Sequence, residues 1–514
     1  MDWINTLASK TWLRLSLVFT AGAATALAFA PYEIWPVYPL AIAVTLLLGQ
    51  ALAPRAAFLH WFAFGFGAFV VGISWVHVSI DRFGGLPLPV SLSLMGLLAL
   101  YLALYPALAG LLFAKLKSGC DKFNWLALFP ALWIATEWAR GWVMTGFPWL
   151  WAGYSQTEGP LLPLASVIGV QGLGFAIVML AGALALLLQK RWQPLAVIVP
   201  ALALSVFSAS HFSPISRSGE NVKVLLVQGN IPQSMKWAEE QLWPTLLKYM
   251  DLTRPHLDAD IVIWPEAAIP GPMLRQDIAD FLGNANQVAN LNHSAIITGI
   301  PTFDGHNWFN SLIVLGNHNA KEQPAPDSFG NGVNEFKKHH LLPIGEFVPF
   351  ETLLRPLAPF FNLPMSSFSR GDYRQPNLNA VGYQLAPAIC YEIAFPEQLR
   401  ANLTDDTDML LTVSNDAWFG ESNGPLQHME IARMRAVELG RPLLRGTNNG
   451  VTAVVDEFGD FTAIAPQFET AVLRADVALT QGTTLFARFG HWPVYLVCLL
   501  ALLGALVLRR RKPA

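Results

Sequence analysis

The sequence predicts a multi-pass α-helical membrane bundle joined to a single extramembrane α/β domain. Three observations predict it. Hydrophobic residues make up 53% of the chain, charged residues only 13%, and the mean hydropathy is +0.39, whereas a soluble domain carries about a quarter charged residues. The apolar residues are also concentrated: residues 12–212 form a series of long apolar stretches, while residues 221–486 read as a soluble protein. A last apolar stretch, residues 491–508, precedes the basic tail Arg509-Arg510-Arg511-Lys512. The 514 residues suffice for more than one domain. A net charge of −3, with no Lys/Arg-rich tract in the polar region, argues against nucleic acid as a partner.

Crossing a bilayer as a helix takes about 20 apolar residues. Seven candidate spans precede the polar region, at 12–30, 36–53, 58–79, 88–114, 124–141, 162–189 and 193–210, and the eighth is 491–508. Domain boundaries follow as a bundle over 1–212, an extramembrane domain over 221–486, and a final helix over 491–508 with the tail 509–514. The stretch Gly141 to Gly159 is short, aromatic and poorly charged, and reads as interfacial or re-entrant rather than as a span. Lys10, Arg14 and the apolar run ending Ala28-Phe29-Ala30 also fit a cleaved signal peptide, but the six spans that follow favour a retained helix.

Charge sets the orientation. One set of short loops and ends holds Lys10, Arg14, Arg55, Lys115, Lys117, Lys122, Lys190, Arg191, Arg509, Arg510, Arg511 and Lys512, twelve in all. The opposite set holds Arg82 and Arg140, or four residues once Arg217 and Arg488 beside the insert are added. Positive residues stay on the cytoplasmic side. Both termini are therefore expected in the cytoplasm and the large domain outside it, which in a bacterium is the periplasm. Glu137 and Arg140 lie one helical turn apart at the end of the fifth span, where a functional role and simple mutual pairing are both open.

Within the polar region, Val222–Gln228 reads as a buried strand, apolar and β-branched on both faces. Further strands are expected at 260–265, 295–299, 311–315, 384–390, 409–414, 450–455 and 472–477, and helices at 238–252, 276–290 and 425–439, the last with Pro425 at its first position. Alternating strands and helices predict an α/β layered domain.

Three cysteines occur, Cys120, Cys390 and Cys498, and only Cys390 lies in the polar region. A lone thiol is either a small buried hydrophobe or a reactive group. Its context favours reactivity, because Cys390 ends the apolar strand Leu385-Ala-Pro-Ala-Ile389, and groups at strand ends carry function in α/β domains. Ile261-Val-Ile-Trp-Pro-Glu266 repeats that pattern with a carboxylate. Lys338-His-His-Leu-Leu-Pro-Ile-Gly-Glu346 supplies a cation and a second carboxylate. A thiol needs a base, and the oxyanion formed by its attack needs a positive donor.

These segments resemble the Glu–Lys–Cys motifs of the nitrilase superfamily: Trp264-Pro265-Glu266, Lys338 with Gly345-Glu346, and Cys390-Tyr391-Glu392. The resemblance is closer still to its membrane-bound branch, the bacterial apolipoprotein N-acyltransferases, and it covers essentially the whole chain. Gln228-Gly-Asn-Ile-Pro-Gln-Ser, Gly345-Glu-Phe-Val-Pro349, Ser414-Asn-Asp-Ala-Trp-Phe-Gly420 and Thr447-Asn-Asn-Gly450 add to it.

The resemblance implies an αββα sandwich for the polar region and eight spans around it. It implies Cys390 as the nucleophile toward the sn-1 ester of a phospholipid, chiefly phosphatidylethanolamine, with Glu266 as base and Lys338 stabilising the oxyanion. The acyl chain would wait on Cys390 as a thioester until the α-amine of an apolipoprotein's diacylglyceryl-cysteine takes it, a ping-pong exchange without metal or soluble cofactor. Glu346 and Glu392 resemble supporting positions, or serve as ion-pair partners. Tyr391, Asn310, Trp237 and Trp418 are candidates to line the pocket or its lids, with core packing as the alternative. His339 and His340 raise a metal or acid–base role, for which a bare pair is thin support. A hydrolase with the same first step, and an inert scaffold, are the competing functions; the presence of Glu266, Lys338 and Cys390 together speaks against the scaffold.

Overall fold

The computed structural model describes residues 10–316, 334–343, 345–347 and 368–510; Val348-Pro349 of one motif and Arg511-Lys512 of the tail lie outside the described residues. The described residues divide into two compact units. One comprises residues up to His77, Pro87–Ser213 and those from Thr484 onward; the other comprises Val78–Leu86 and Pro214–Thr483. The segment Val78–Leu86 thus groups with the α/β unit, although its sequence lies between two apolar stretches.

The first unit is helical. Among the described residues six helices are long and apolar enough to cross a membrane: Thr11–Ala28, Pro54–Gly72, Leu88–Leu116, Leu162–Leu188, Gln193–His211 and Trp492–Arg509. The other two expected spans take different forms. Residues 36–53 give only the helix Val37–Gly49, which at 1.5 Å per residue reaches about 20 Å, short of the hydrocarbon thickness. Residues 124–141 form a continuous helical run from Asp121 to Arg140 with a π-turn at Asn124–Leu128. Charged groups at both of its ends, Asp121 and Lys122 then Glu137 and Arg140, lower its hydropathy. Gln193–His211 and Trp492–Arg509 leave most of their apolar surface uncovered, including Val197, Leu204, Phe207, Leu499, Leu500 and Leu503. Contiguous apolar helix faces of that extent require a non-aqueous neighbour, and the chain is a multi-pass membrane protein.

Glu137 and Arg140 resolve into a local clamp. Their side chains are buried 3.7 Å apart. Arg140 donates to the Phe147 and Trp149 carbonyls, and Glu137 accepts from the Trp133 indole and the Ala152 amide. Together they fasten the aromatic segment 141–159, which runs in short 3₁₀ turns rather than as a span.

The second unit is an αββα sandwich. One six-stranded sheet has the order β12-β1-β2-β3-β4-β5, with β1 Ser216–Gln228, β2 Ile261–Ile263, β3 Ala295–Phe303, β4 Trp308–Leu315, β5 Glu335–Lys337 and β12 Ala471–Gln481. The other has the order β11-β10-β9-β8-β7-β6, with β6 Leu378–Ala380, β7 Tyr383–Ile389, β8 Met409–Ser414, β9 Leu443–Thr447, β10 Ala453–Val455 and β11 Phe461–Ile464. β1, β2 and β3 are parallel, as are β7, β8 and β9.

Period-two alternation divides each strand between two cores. Val222, Val224 and Leu226 of β1 face the inter-sheet core with Ile263, Ile389, Leu411, Val413 and Leu444. Leu225 and Val227 face the other way, onto the helices Glu239–Thr253 and Gln276–Leu291 through Leu246, Tyr249, Ile278 and Leu282. The helix Gly424–Leu439, started by Pro425, is buried along almost its whole length. The strands that escape the sequence pattern are the short β5, β6 and β11, and β9, whose Arg445 breaks the apolar run.

Candidate active site

The parallel strands bring their ends to one place. Glu266 follows β2 after Trp264-Pro265, and the close approach of β3 requires Gly299 there. A Cβ on Gly299 would overlap the Ala267 nitrogen and lie 2.8 Å from the Glu266 Cα. Asn310 is on β4, and its carbonyl accepts the Lys338 amide at 2.8 Å, which carries Lys338 just past β5.

The side chains close a buried cluster. Lys338 Nζ lies 3.3 Å from Glu266 Oε1 and 2.8 Å from Glu346 Oε2. Asn310 Nδ2 donates to both carboxylates, at 2.9 Å to Glu266 and 2.8 Å to Glu346. The Asn415 amide donates to Glu266 Oε2 at 2.9 Å and the Leu342 amide to Glu346 Oε2 at 2.8 Å. Burial works against the Glu266 charge, but Lys338, Asn310, Lys236 and Asn415 outweigh it and hold the carboxyl below its ordinary pKa. Burial likewise opposes the Lys338 charge, and Glu266, Glu346 and Cys390 raise its pKa above the ordinary lysine value. The resting pair is carboxylate and ammonium.

Cys390 sits where β7 leaves the second sheet, in a left-handed conformation with φ +53°. A non-glycine residue there stores roughly 1–3 kcal/mol and persists only where its surroundings hold it. Two buried groups do so. Glu392 Oε2 accepts the Ile389 amide at 2.8 Å, and its Oε1 accepts the His339 and His340 amides and the Gln398 side chain. On the other side, His428 Nε2 donates to the Cys390 carbonyl at 3.1 Å. A carbonyl can only accept, so Nε2 carries the proton, while Nδ1 faces both Arg445 Nη2 at 3.0 Å and Asp416 Oδ1 at 3.1 Å. Asp416, bonded to Arg445 at 2.8 Å and to Ser414 at 2.6 Å, completes the brace. Burial and Arg445 lower the His428 pKa. Burial and the Glu266 carboxylate push the Cys390 thiol well above its ordinary pKa, with Lys338 opposing.

The sequence-derived candidates therefore fall into two groups. Glu266, Lys338, Glu346 and Asn310 form one bonded cluster whose charges reach Cys390, and Glu392 ties the backbone after Lys338 to the backbone before Cys390. Tyr391 is buried against His340 and Phe395. Trp418 is half-buried, edge-on to Phe83, and its carbonyl accepts from Ser79. Trp237 is half-buried in the loop after β1. His339 Nδ1 donates to the Gly371 carbonyl, which engages that ring nitrogen in structure. Among the described residues no group of three His, Cys, Asp or Glu side chains could hold a metal ion.

Sequence reading missed His428, Arg445 and Lys236. Arg445 and His428 lie inside otherwise buried segments, a signal that was available for Arg445 between apolar neighbours and weak for His428, whereas Lys236 stands among exposed and half-buried residues and gives none. The conspicuous amide motifs now have a structural role. Asn448 exchanges hydrogen bonds with the Ile231 backbone and donates to Asn415, and Asn415 donates to Gln233. This chain of amides fixes the loop after β1.

The chain is similar to known proteins over nearly its whole length. Residues 21–184 match the family described as apolipoprotein N-acyltransferase N-terminal domain, and residues 223–485 match carbon-nitrogen hydrolase. A protein of Shewanella oneidensis named apolipoprotein N-acyltransferase is 64% identical over 502 residues, covering 97% of this chain and 96% of its own. Its namesake in Vibrio vulnificus is 50% identical, covering 99% and 100%, and that of Pseudomonas aeruginosa 39% identical, covering 100% and 99%. Among solved structures, a nitrilase-superfamily member from Saccharomyces cerevisiae is 18% identical with a TM-score of 0.36, covering 52% of this chain and 92% of its own. On the strength of its full-length relatives, the chain belongs to the apolipoprotein N-acyltransferase family.

Proposed function

We propose that this chain moves an acyl chain from a membrane phospholipid to the α-amine of the diacylglyceryl-cysteine at an apolipoprotein's N-terminus. The observation that carries the reading is the ionised Glu266–Lys338 pair set beside a protonated Cys390. A carboxylate held ionised next to a thiol held neutral is a base and nucleophile waiting for an electrophile. The thiol proton passes to Glu266 as Sγ adds to the sn-1 ester carbonyl, for which phosphatidylethanolamine is the chief donor. Lys338 stabilises the oxyanion. The C–O bond breaks, Glu266 protonates the leaving alkoxide, and lysophospholipid departs from a Cys390 thioester. The acceptor amine then adds to the thioester, Glu266 takes its proton, the C–S bond breaks, and the proton returns to sulfur. Ping-pong kinetics follow.

Supporting roles fit the same scheme. Glu346 and Asn310 hold Lys338 and Glu266 in register, Glu392 braces the nucleophile, and Trp237, Trp418 and Tyr391 border the entry for the acyl chains. The scheme needs no metal or soluble cofactor. Eight membrane crossings, counting the short Val37–Gly49 helix in a locally thinned bilayer and the run Asp121–Arg140 beside the six long helices, with both termini cytoplasmic and the α/β unit periplasmic, complete the reading in the bacterial inner membrane; the twelve-to-four asymmetry of basic residues supports that orientation. The relatives' name supports the acceptor.

The test uses purified full-length protein with phospholipid labelled in the sn-1 chain, with and without a diacylated lipopeptide. Label should move to the lipopeptide amine, with little free fatty acid before the lipopeptide is added. Steady fatty-acid release without lipopeptide acylation would identify a hydrolase instead.

A further inference from the structure

Lys236 lies in the loop after β1, between the amide-anchored residues Ile231–Gln233 and the helix Glu239–Thr253. It is only 2% exposed, and its Nζ donates to the backbone carbonyl of Glu266 at 3.1 Å. That is its only hydrogen bond among the described residues, where two of its three N–H donors meet no acceptor. Burying an ammonium against one neutral acceptor is unfavourable unless nearby negative charge compensates. The titratable groups whose charge reaches it are Glu266 and Cys390.

Lys338 is shared by two carboxylates, Glu266 and Glu346. Those three groups sum to one negative charge, and Lys236 brings the cluster to neutrality. Proton transfer from Cys390 to Glu266 moves that negative charge onto sulfur without changing the sum. Lys338 is bonded to both carboxylates, whereas Lys236 is bonded to neither and senses both ends of the transfer.

We propose that Lys236 is a positioning residue of this site, an ammonium that anchors the Glu266 backbone and balances the negative charge as it moves from the Glu266 carboxylate to the Cys390 sulfur. The inference rests on the proposed proton transfer between those two groups. Burial lowers the Lys236 pKa to about 8, with Glu266 and Cys390 pulling it back up. The ammonium is therefore lost as the pH rises through about 8, and its contribution fades over the same range.

The experiment compares full-length wild type, Lys236→Met and Lys236→Arg in detergent, reading alkylation of the Cys390 peptide by iodoacetamide against pH, acyl-enzyme formation from phosphatidylethanolamine, and Tm. Removing the charge in Lys236→Met should slow Cys390 alkylation about tenfold and raise its pH midpoint by about one unit. The rate of acyl-enzyme formation should fall with it, at nearly unchanged phospholipid KM. Lys236→Arg should keep most of the alkylation rate and lose the wild type's decline in acyl-enzyme formation above about pH 8, since a guanidinium does not deprotonate there. Wild-type alkylation in Lys236→Met, or loss of the folded state in both variants, would overturn the proposal. Should wild type form no acyl-enzyme while alkylation still depends on Lys236, the acyl-transfer reading fails and the electrostatic role of Lys236 stands.

Discussion

Glu266 and Glu392 are both buried carboxylates within the same sandwich, and their surroundings drive them in opposite directions. Glu266 meets Lys338 directly and Lys236 at its backbone, and its pKa falls below the ordinary 4.5. Burial dominates at Glu392, whose partners are amide donors rather than bonded cations, and its pKa rises. Burial alone raises a carboxyl pKa; cations decide whether the group stays ionised. The first environment suits a base. The second suits a brace, because four directed hydrogen bonds from His339, His340, Ile389 and Gln398 fix backbone geometry around a strained nucleophile.

Glu266→Gln should have the largest effect. It removes the base and leaves Lys338 with Glu346 alone, and acyl-enzyme formation should fall by about a thousandfold or more, read by single-turnover labelling. Glu392→Ala should act differently. Four donors lose their acceptor, so Tm should drop markedly and acylation should fall roughly tenfold to a hundredfold as the Cys390 elbow relaxes. Next comes Gly299→Ala, whose methyl group would displace the Glu266 backbone; acylation should fall about tenfold, since misplacement of a catalytic group is costly, with little change in phospholipid KM. The smallest effect is a matter of pH. With Glu266 depressed, the base stays ionised at neutrality and is lost only as pH falls through its lowered pKa. The acid limb of kcat/KM should therefore lie below pH 4.5, measured over a range where Tm shows the protein folded.

Glu266 and Cys390 are legible in the chain as candidates because each ends a strand pattern, with apolar residues giving way to a single reactive group, whereas Lys338 follows the short β5 that the pattern does not show and is legible only through its motif. The layered fold was legible for the same reason, through β-branched runs and the Pro425 helix start. What hid was whatever depended on pairing across the fold. Arg445 disqualifies β9 as an apolar strand until Asp416 is seen to neutralise it. Lys236 reads as a surface lysine beside Trp237 until the Asn415–Asn448 amides turn its loop inward. In the helical unit, a window of hydropathy does not show that residues 36–53 give only the 13-residue helix Val37–Gly49, nor that Glu137 and Arg140 are engaged in fastening 141–159.

The central claim is that sulfur carries the acyl group between two lipid substrates. Intact mass of the protein after incubation with phospholipid tests it most directly, in wild type and Cys390→Ala. Wild type should gain one acyl mass, removed by a diacylated lipopeptide, and the variant none. An equal acyl mass on Cys390→Ala, or lipopeptide acylation by that variant, would contradict it.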